Sequence, residues 1–159
     1  MSVASVNRLR IERVVAAPLA AVWELWTTKA GLEAWWGPDG FRAEVKSLEV
    51  KPGGACEYEM IPVTPEMIAF MERAGAPASQ RARFEFAAVE PMQRLLLTNV
   101  VDFVPGVARY QTQTEVHFEE LRGATRVLVW LDPMHDELWT GRMRMGWEQQ
   151  LGKLERAVA

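Results

Sequence analysis

The sequence predicts an α+β fold in which a curved antiparallel sheet of six or seven strands holds a long C-terminal helix. Apolar residues recur with a period of two through most of residues 41–131, which is typical of strands with one exposed face. Residues 135–158 instead carry a single apolar stripe at helical spacing, formed by Met143, Trp147, Leu151, Leu154 and Val158. No other predicted helix is long enough to cover one face of such a sheet.

The first part of the chain predicts one strand and two short helices. Residues 8–15 alternate between apolar and charged side chains, as a strand does. Pro18 suits the start of a helix, and four apolar residues then follow at helical spacing: Leu19, Val22, Trp23 and Trp26. A second short helix is predicted to start near Lys29 and to end at Gly37-Pro38.

The middle of the chain predicts six strands and one inserted helix. A strand starts at Phe41, and a phase slip between residues 45 and 48 predicts a β-bulge within it. A Pro-Gly-Gly turn at residues 52–54 leads to a strand that contains Tyr58 and Met60. A short helix is expected at about 64–75, because Thr64 and Pro65 suit its start and Gly75 its end. The remaining strands are predicted at 82–89, 94–103, 110–119 and 125–131.

Composition restricts the class of protein and its partners. The length fits one domain over residues 1–159, and the 49% hydrophobic and 25% charged content is typical of a globular chain. A net charge of −3 gives no electrostatic drive toward nucleic acid or a membrane surface, so we expect neither as a partner. We find no apolar run of membrane-spanning length and no signal-peptide pattern in residues 1–15. The expected location is therefore cytoplasmic.

The titratable residues predict no catalytic set, metal site or cofactor. Cys56 is the single cysteine, and the two histidines, His117 and His135, do not have the spacing of zinc ligands. Cys56 alternates in phase with apolar neighbours, which indicates a small buried side chain rather than a nucleophile. His117 lies on the charged face of its strand, whereas His135 is next to Asp136 at the start of the last helix, where an acid–base role stays open.

The order of the motifs resembles the helix-grip superfamily, which includes START domains, polyketide cyclases and the birch-pollen-allergen proteins. Within it, the chain is similar to the family named for the C-terminal domain of the activator of the heat-shock ATPase chaperone. The matching segments are Ala17-Pro18, Val22-Trp23, Trp26-Thr27, residues 32–38, Pro52-Gly53-Gly54 with Tyr58 and Met60, residues 114–118, Gly123-Ala124-Thr125, and Gly146-Trp147 with Leu151 and Leu154. The resemblance implies the fold and a space between sheet and helix, but no shared catalytic residues.

We expect that space to be a cavity for a small apolar molecule. Ligand cavities are mostly apolar with a few polar groups, and the chain has an excess of tryptophan for its length, with seven. Asn99 stands in an otherwise apolar strand and would need a partner if buried. The candidate ligand-binding residues are Trp36, Phe41, Tyr58, Met60, Phe84, Phe86, Asn99, Thr114, Met143 and Trp147. Three apolar residues of the inserted helix are candidates for a lid over the cavity: Met67, Phe70 and Met71.

Three functions remain open at this point. The leading hypothesis is binding of a small hydrophobic ligand, without enzymatic activity. The second is an enzyme of the cyclase or hydratase type, which would use cavity residues such as Tyr58, Asn99 or His135. The third is a chaperone-associated or stress-response interaction protein, which would present a large exposed apolar patch. A homodimer is also left open, with the inserted helix as one contact surface.

Overall fold

The computed structural model describes residues 7–158, and its central feature is a seven-stranded antiparallel sheet. The strands are β1 (Leu9–Val15), β2 (Phe41–Leu48), β3 (Ala55–Pro62), β4 (Gln80–Glu90), β5 (Arg94–Val101), β6 (Tyr110–Leu121) and β7 (Ala124–Leu131). They lie in the order β1-β7-β6-β5-β4-β3-β2, so that β1 and β2 form opposite edges. The predicted α+β class is confirmed. The expectation about a signal peptide falls in part on residues 1–6, outside the described range.

Four helices connect and cover the strands: α1 (Leu19–Thr27), α2 (Lys29–Glu33), α3 (Pro65–Arg73) and α4 (Glu137–Ala157). Three of them start at a residue whose side-chain oxygen accepts a hydrogen bond from the first turn. Thr28 accepts from the Gly31 N–H at 3.0 Å, Thr64 from the Met67 N–H at 3.2 Å and Asp136 from the Trp139 N–H at 2.8 Å. Thr28 therefore separates α1 from α2 by capping the second helix.

Two β-bulges give the sheet its curvature. The register of β2 against β3 shifts between Val45 and Ser47, as the phase slip in the sequence predicts. A second shift lies between Phe86 and Ala88, in the pairing of β4 with β5. The sequence did not reveal this second bulge, because it falls at two consecutive alanines that carry little periodic signal.

Strands β4 and β5 separate at one end. Their pairing runs from Glu90↔Arg94 to Phe84↔Asn99. Beyond that pair, the start of β4 bonds only to β3, and the end of β5 bonds only to β6. The predicted strand 94–103 accordingly ends at Val101. The result is a gap between two neighbouring strands on the side where the connection to β6 leaves the sheet.

Helix α4 packs closely on the rest of the chain along its C-terminal half only. Leu151 and Leu154 are completely buried, and among the strands α4 approaches β1 most closely. Trp147 and Met143, one and two turns before Leu151, are only partly buried. This divergence leaves space between the N-terminal half of α4 and the sheet. No helix within residues 7–158 combines the length and the apolar character needed to cross a membrane.

Candidate functional site

The space beneath the N-terminal half of α4 is a cavity of about 390 Å³. It lies between that helix, the loop after α2 and strands β3, β5 and β6, and it opens to solvent. Its volume is within the range of about 300–1,000 Å³ that is usual for small-molecule sites. Its lining consists of Trp36, Pro38, Tyr58, Met60, Asn99, Val100, Val101, Phe103, Thr112, Thr114, Met134, Trp139, Arg142, Met143, Gly146, Trp147 and Gln150.

An aromatic wall closes the inner end of the cavity. The Trp36 ring meets that of Trp147 edge to face at a centroid distance of 5.4 Å, and that of Tyr58 at 6.3 Å. Behind them, Trp26 stacks on Trp147 at 6.2 Å and is itself almost fully buried. Because each of these rings packs against at least one other ring, the wall is a continuous apolar surface rather than a set of free side chains.

Polar groups lie on the strand side of the cavity. The Asn99 amide donates to the Thr114 hydroxyl at 3.1 Å, across the β5–β6 pair. Thr112, opposite Asn99 in the register, is buried and also lines the cavity. Asn99 thus finds a partner for one amide hydrogen, while its carbonyl oxygen makes no side-chain hydrogen bond among the described residues. The strand side of the cavity thus offers a ligand both donors and acceptors, none of which is an ionised group.

Gln150 links the cavity to the loop after α2. Its side-chain oxygen accepts a hydrogen bond from the backbone N–H of Gly37 at 3.0 Å, and the side chain is buried. Lys153, one turn later, donates to the carbonyls of Gly37 at 3.1 Å and Phe41 at 2.9 Å. These bonds hold the loop against α4, and they fix the position of Trp36 next to it.

The titratable groups of the cavity are not arranged for acid–base chemistry. Burial raises the pKa of Tyr58 to about 12, an effect that the neighbouring Trp36 side chain partly opposes. The phenol is therefore neutral at ordinary pH. Arg142 is the one charged residue in the lining, and its guanidinium carbon lies 5.0 Å from the centroid of the Trp139 ring.

A second hollow, of about 470 Å³, lies in the gap between β4 and β5. It adjoins the first cavity, because Tyr58, Asn99, Val100 and Phe103 line both. Its outer wall carries charges of both signs: Lys46, Glu57, Arg81, Arg83, Asp102 and Arg109. Part of this charge is already neutralised within the wall, since Arg83 lies 3.6 Å from Glu57. The cavity beneath α4 is the better candidate site, because its lining is mainly apolar and contains a single charged side chain, that of Arg142.

Seven of the ten predicted ligand-binding residues line this cavity: Trp36, Tyr58, Met60, Asn99, Thr114, Met143 and Trp147. The other three do not. Phe84 and Phe86 are almost fully buried; Phe84 packs behind Trp36 at 5.2 Å, and Phe86 packs behind Phe84 at 5.5 Å. Phe41 lies in a separate shallow hollow with Lys153. The alternation of the strand placed Phe84 and Phe86 on the inward face of the sheet. It does not distinguish a residue that borders the cavity from one that fills the core behind it.

The predicted lid is not placed over the cavity. Helix α3 packs against β3, and none of Met67, Phe70 and Met71 belongs to the cavity lining within residues 7–158. Met67 lies beside Gly40, Met71 is buried, and Phe70 is 56% exposed. The apolar stripe of α3 is therefore used mainly to fix the helix to the edge of the fold.

Several lining residues were not among the predicted ones, and helical spacing is the signal that finds them. Trp139 and Gln150 lie four residues before Met143 and three after Trp147, on the same face of α4. Gly146 also lines the cavity, and a Cβ added there meets no atom within 4 Å. Phe103 lacks any such signal, because the loop after β5 has no regular period.

The proposed acid–base pair at the start of α4 lies outside the cavity lining. The Tyr110 hydroxyl is 2.7 Å from His135 Nδ1 and accepts a hydrogen bond from the His135 backbone N–H at 3.0 Å. Asp136 serves as the N-cap of α4. These groups join the start of β6 to the segment that leads into α4. The described part of the chain also contains no cluster of side chains suited to a metal ion.

Comparison with known proteins agrees with this architecture. The model of the family described as Activator of Hsp90 ATPase homolog 1-like protein matches residues 16–159. The chain belongs to this family. A protein from Arthrobacter aurescens has a similar structure, with a TM-score of 0.76, 20% identity and coverage of 99% of this chain and 89% of that one. The AHSA1 protein from Silicibacter pomeroyi has a TM-score of 0.72, 22% identity and coverage of 94% and 96%.

A protein from Chromobacterium violaceum is similar over a comparable range, with a TM-score of 0.73, 19% identity and coverage of 96% of this chain and 97% of that one. No curated protein matches the chain. The helix-grip resemblance read from the motifs is thus confirmed at the level of family and fold.

Proposed function

We propose that this member of the family binds a small, mainly apolar molecule in the cavity beneath α4. The observation that carries the proposal is the composition of the lining. A wall built around Trp36 and Trp147 faces an uncharged polar pair, Asn99 and Thr114. Apolar surface supplies the affinity, at roughly 25 cal/mol per Å² buried, and the polar pair orients the ligand.

Binding is favoured over catalysis because the cavity lacks a matched acid and base. Tyr58 and Arg142 are the titratable residues of the lining; burial keeps the Tyr58 phenol neutral at ordinary pH, and the guanidinium of Arg142 has only donors and no acceptor. General acid–base catalysis requires a group whose pKa lies near the working pH. The polar side chains of the lining instead have the properties of a recognition surface.

A protein-interaction role has weaker support. The large apolar side chains with high exposure are distributed over several elements: Val14 on β1, Val63, Ile68 and Phe70 around α3, Met92 between β4 and β5, Phe103 after β5, and Leu138 and Met145 on α4. A docking surface for a partner protein usually requires a contiguous patch. Binding in the cavity needs no such patch, so it remains our proposal.

The proposal is tested with N-phenyl-1-naphthylamine, a neutral apolar probe whose fluorescence rises when it leaves water. We expect saturable binding to the purified protein, and native mass spectrometry should detect the one-to-one complex. Gly146→Leu places a side chain in the cavity and should abolish the fluorescence change. Gly141→Leu is the matched control, because it lies on the same helix, has open space around it and does not line the cavity.

Two results would contradict the proposal. One is the absence of any saturable signal with the unmodified protein. The other is an equal effect of the two leucine substitutions on folded protein: a signal kept by both means that the probe binds outside the cavity, and a signal lost by both means that the loss does not come from filling the cavity. Far-ultraviolet circular dichroism of both variants checks that the helix is intact.

A further inference from the structure

The cavity lining contains a single charged side chain, that of Arg142 on the N-terminal half of α4. Arg142 is exposed and also lines the cavity, which places it at the rim. It forms no ion pair among residues 7–158, whereas Arg144, two residues further along the helix, pairs with Glu148 at 3.2 Å. The nearest carboxylates before it in sequence are those of Glu137, which forms no ion pair among the described residues, and Asp136, which already accepts the hydrogen bond from the Trp139 N–H. Arg142 therefore has an unmatched positive charge next to an apolar cavity.

The position of this guanidinium is defined by an aromatic ring rather than by a carboxylate. Its central carbon lies 5.0 Å from the centroid of Trp139, which also lines the cavity. When an arginine stacks on an aromatic ring, the flat face of its guanidinium contacts the ring, and the N–H groups at the edge of the guanidinium stay free to donate. Those donors match the two oxygens of a carboxylate or a similar oxyanion.

The rest of the lining is compatible with such a group. It contains no aspartate or glutamate, so an anion at the rim meets no like charge from the wall. The inner wall around Trp36 and Trp147 is apolar. We propose that the ligand is amphipathic, with an apolar body against these two rings and an anionic oxygen group paired with Arg142 at the rim. This inference rests on the proposed binding function and specifies the chemical class of its ligand.

The test uses two probes with the same apolar skeleton. N-phenyl-1-naphthylamine is neutral, and 8-anilinonaphthalene-1-sulfonate adds one sulfonate to it. Kd values are measured by fluorescence titration for the unmodified protein, Arg142→Gln and Arg144→Gln. We expect Arg142→Gln to raise the Kd of the sulfonate probe about five- to tenfold, as loss of one charge-assisted contact implies, and to leave the Kd of the neutral probe within about twofold.

Arg144→Gln is the matched control. It removes the same charge from the same helix at a position that does not line the cavity, and it should leave both Kd values unchanged. Arg142→Lys keeps the charge but loses the planar fork, so the sulfonate probe should bind it with intermediate affinity. Added salt should weaken binding of the sulfonate probe to the unmodified protein more than to Arg142→Gln, because salt screens an exposed ion pair.

The possible outcomes distinguish failure of the Arg142 pairing from failure of the proposed binding function. If Arg142→Gln raises the Kd of both probes equally, the side chain contributes only packing. That result disproves the pairing of an anionic group with Arg142, while binding in the cavity stands. If both glutamine variants raise the Kd of the sulfonate probe equally, the effect comes from the overall charge of the protein, and the pairing with Arg142 is likewise disproved. If the unmodified protein binds neither probe, the proposed function fails, and the inference fails with it. Thermal unfolding of each variant confirms that the compared proteins are folded.

Discussion

Glu115 is the most strongly perturbed carboxylate of the described chain, and it lies on the outer face of the sheet. Burial opposes its ionisation, but hydrogen bonds from Arg8 at 2.7 Å and Arg94 at 2.6 Å outweigh that effect, and its pKa falls to about 2. Arg8 also lies over the Trp130 ring at 5.1 Å. These contacts connect β5, β6 and β7 with the residue just before β1, on the side opposite the cavity.

Glu115→Gln should therefore destabilise the protein at neutral pH. We expect a loss of about 1–3 kcal/mol in the free energy of unfolding, because two arginines lose a charged acceptor. The folded pKa lies below the ordinary 4.5, so this contribution is complete above about pH 4.5 and is lost as the pH falls toward about 2. Urea unfolding of both proteins near neutral pH and near pH 3 measures it.

The matched control is Glu148→Gln, which removes an exposed partner of Arg144. It should change the free energy of unfolding by less than about 0.5 kcal/mol. A destabilisation by Glu115→Gln of equal size at both pH values would contradict the electrostatic explanation.

At the scale of the element, helix α4 combines two tasks in its two halves. The C-terminal half fixes the fold through Leu151 and Leu154 and holds the loop after α2 through Gln150 and Lys153. The N-terminal half stands away from the sheet and contributes to the cavity. The close approach to the sheet that helical glycines often allow is absent at Gly141 and Gly146, where an added Cβ meets no atom within 4 Å.

These two glycines are therefore unused by packing, and alanine at either position should stabilise the protein. We expect Gly141→Ala and Gly146→Ala each to raise the free energy of unfolding by about 0.5–1 kcal/mol, because alanine loses less backbone entropy in a helix. Thermal and urea unfolding measure the effect.

Gly37→Ala provides the opposite case. Gly37 has φ of 107°, and a Cβ there would lie 2.9 Å from the sulfur of Met60. We expect this variant to be destabilised by about 1 kcal/mol or more, because the backbone conformation is unfavourable for alanine. If Gly37→Ala stabilised the protein as Gly141→Ala and Gly146→Ala do, helix propensity would not be the cause of the gain in the free energy of unfolding.

At the scale of the whole molecule, the interior contains two groups that resist ionisation. Burial, with a smaller effect of Glu57, raises the pKa of the Cys56 thiol from 9.0 to about 12. Burial also raises the pKa of Tyr58 to about 12. Both folded values exceed the unfolded ones, so their contribution to stability is complete below about pH 9 and is lost as the pH rises toward about 12. Burial lowers the pKa of Lys153, which acts in the opposite direction.

Cys56→Ala isolates the contribution of the thiol. It should be less stable than the unmodified protein near pH 8, because a buried sulfur is lost, by about 1 kcal/mol. This deficit should become smaller as the pH rises toward about 11, since only the unmodified protein has to keep a thiol protonated on folding. Urea unfolding at several alkaline pH values provides the measurement. A deficit that stays constant with pH would contradict the assigned pKa.

The elements were predicted well where their periodicity is long. Seven strands, the two short helices, the inserted helix and α4 all lie within a few residues of their predicted positions. Prediction failed where small residues or loops carry no period. The bulge near Ala88, the early end of β5 and the exposed Phe103 are examples. Helix α3 lies away from the cavity for a different reason: its apolar stripe indicates that the helix packs, but not on which surface.

The sequence by itself determined which side chains face the inside of the sheet and which face of α4 meets them, because strand and helix periods are local properties of the chain. Only the tertiary structure decided that Trp36 and Trp147 border a cavity while Phe84 and Phe86 fill the core behind them. That distinction depends on the angle at which α4 leaves the sheet, and the separation of β4 from β5 depends on bulges and pairing ends. The angle of α4 and the separation of the two strands both result from many contacts between residues far apart in the chain, which no local sequence pattern encodes.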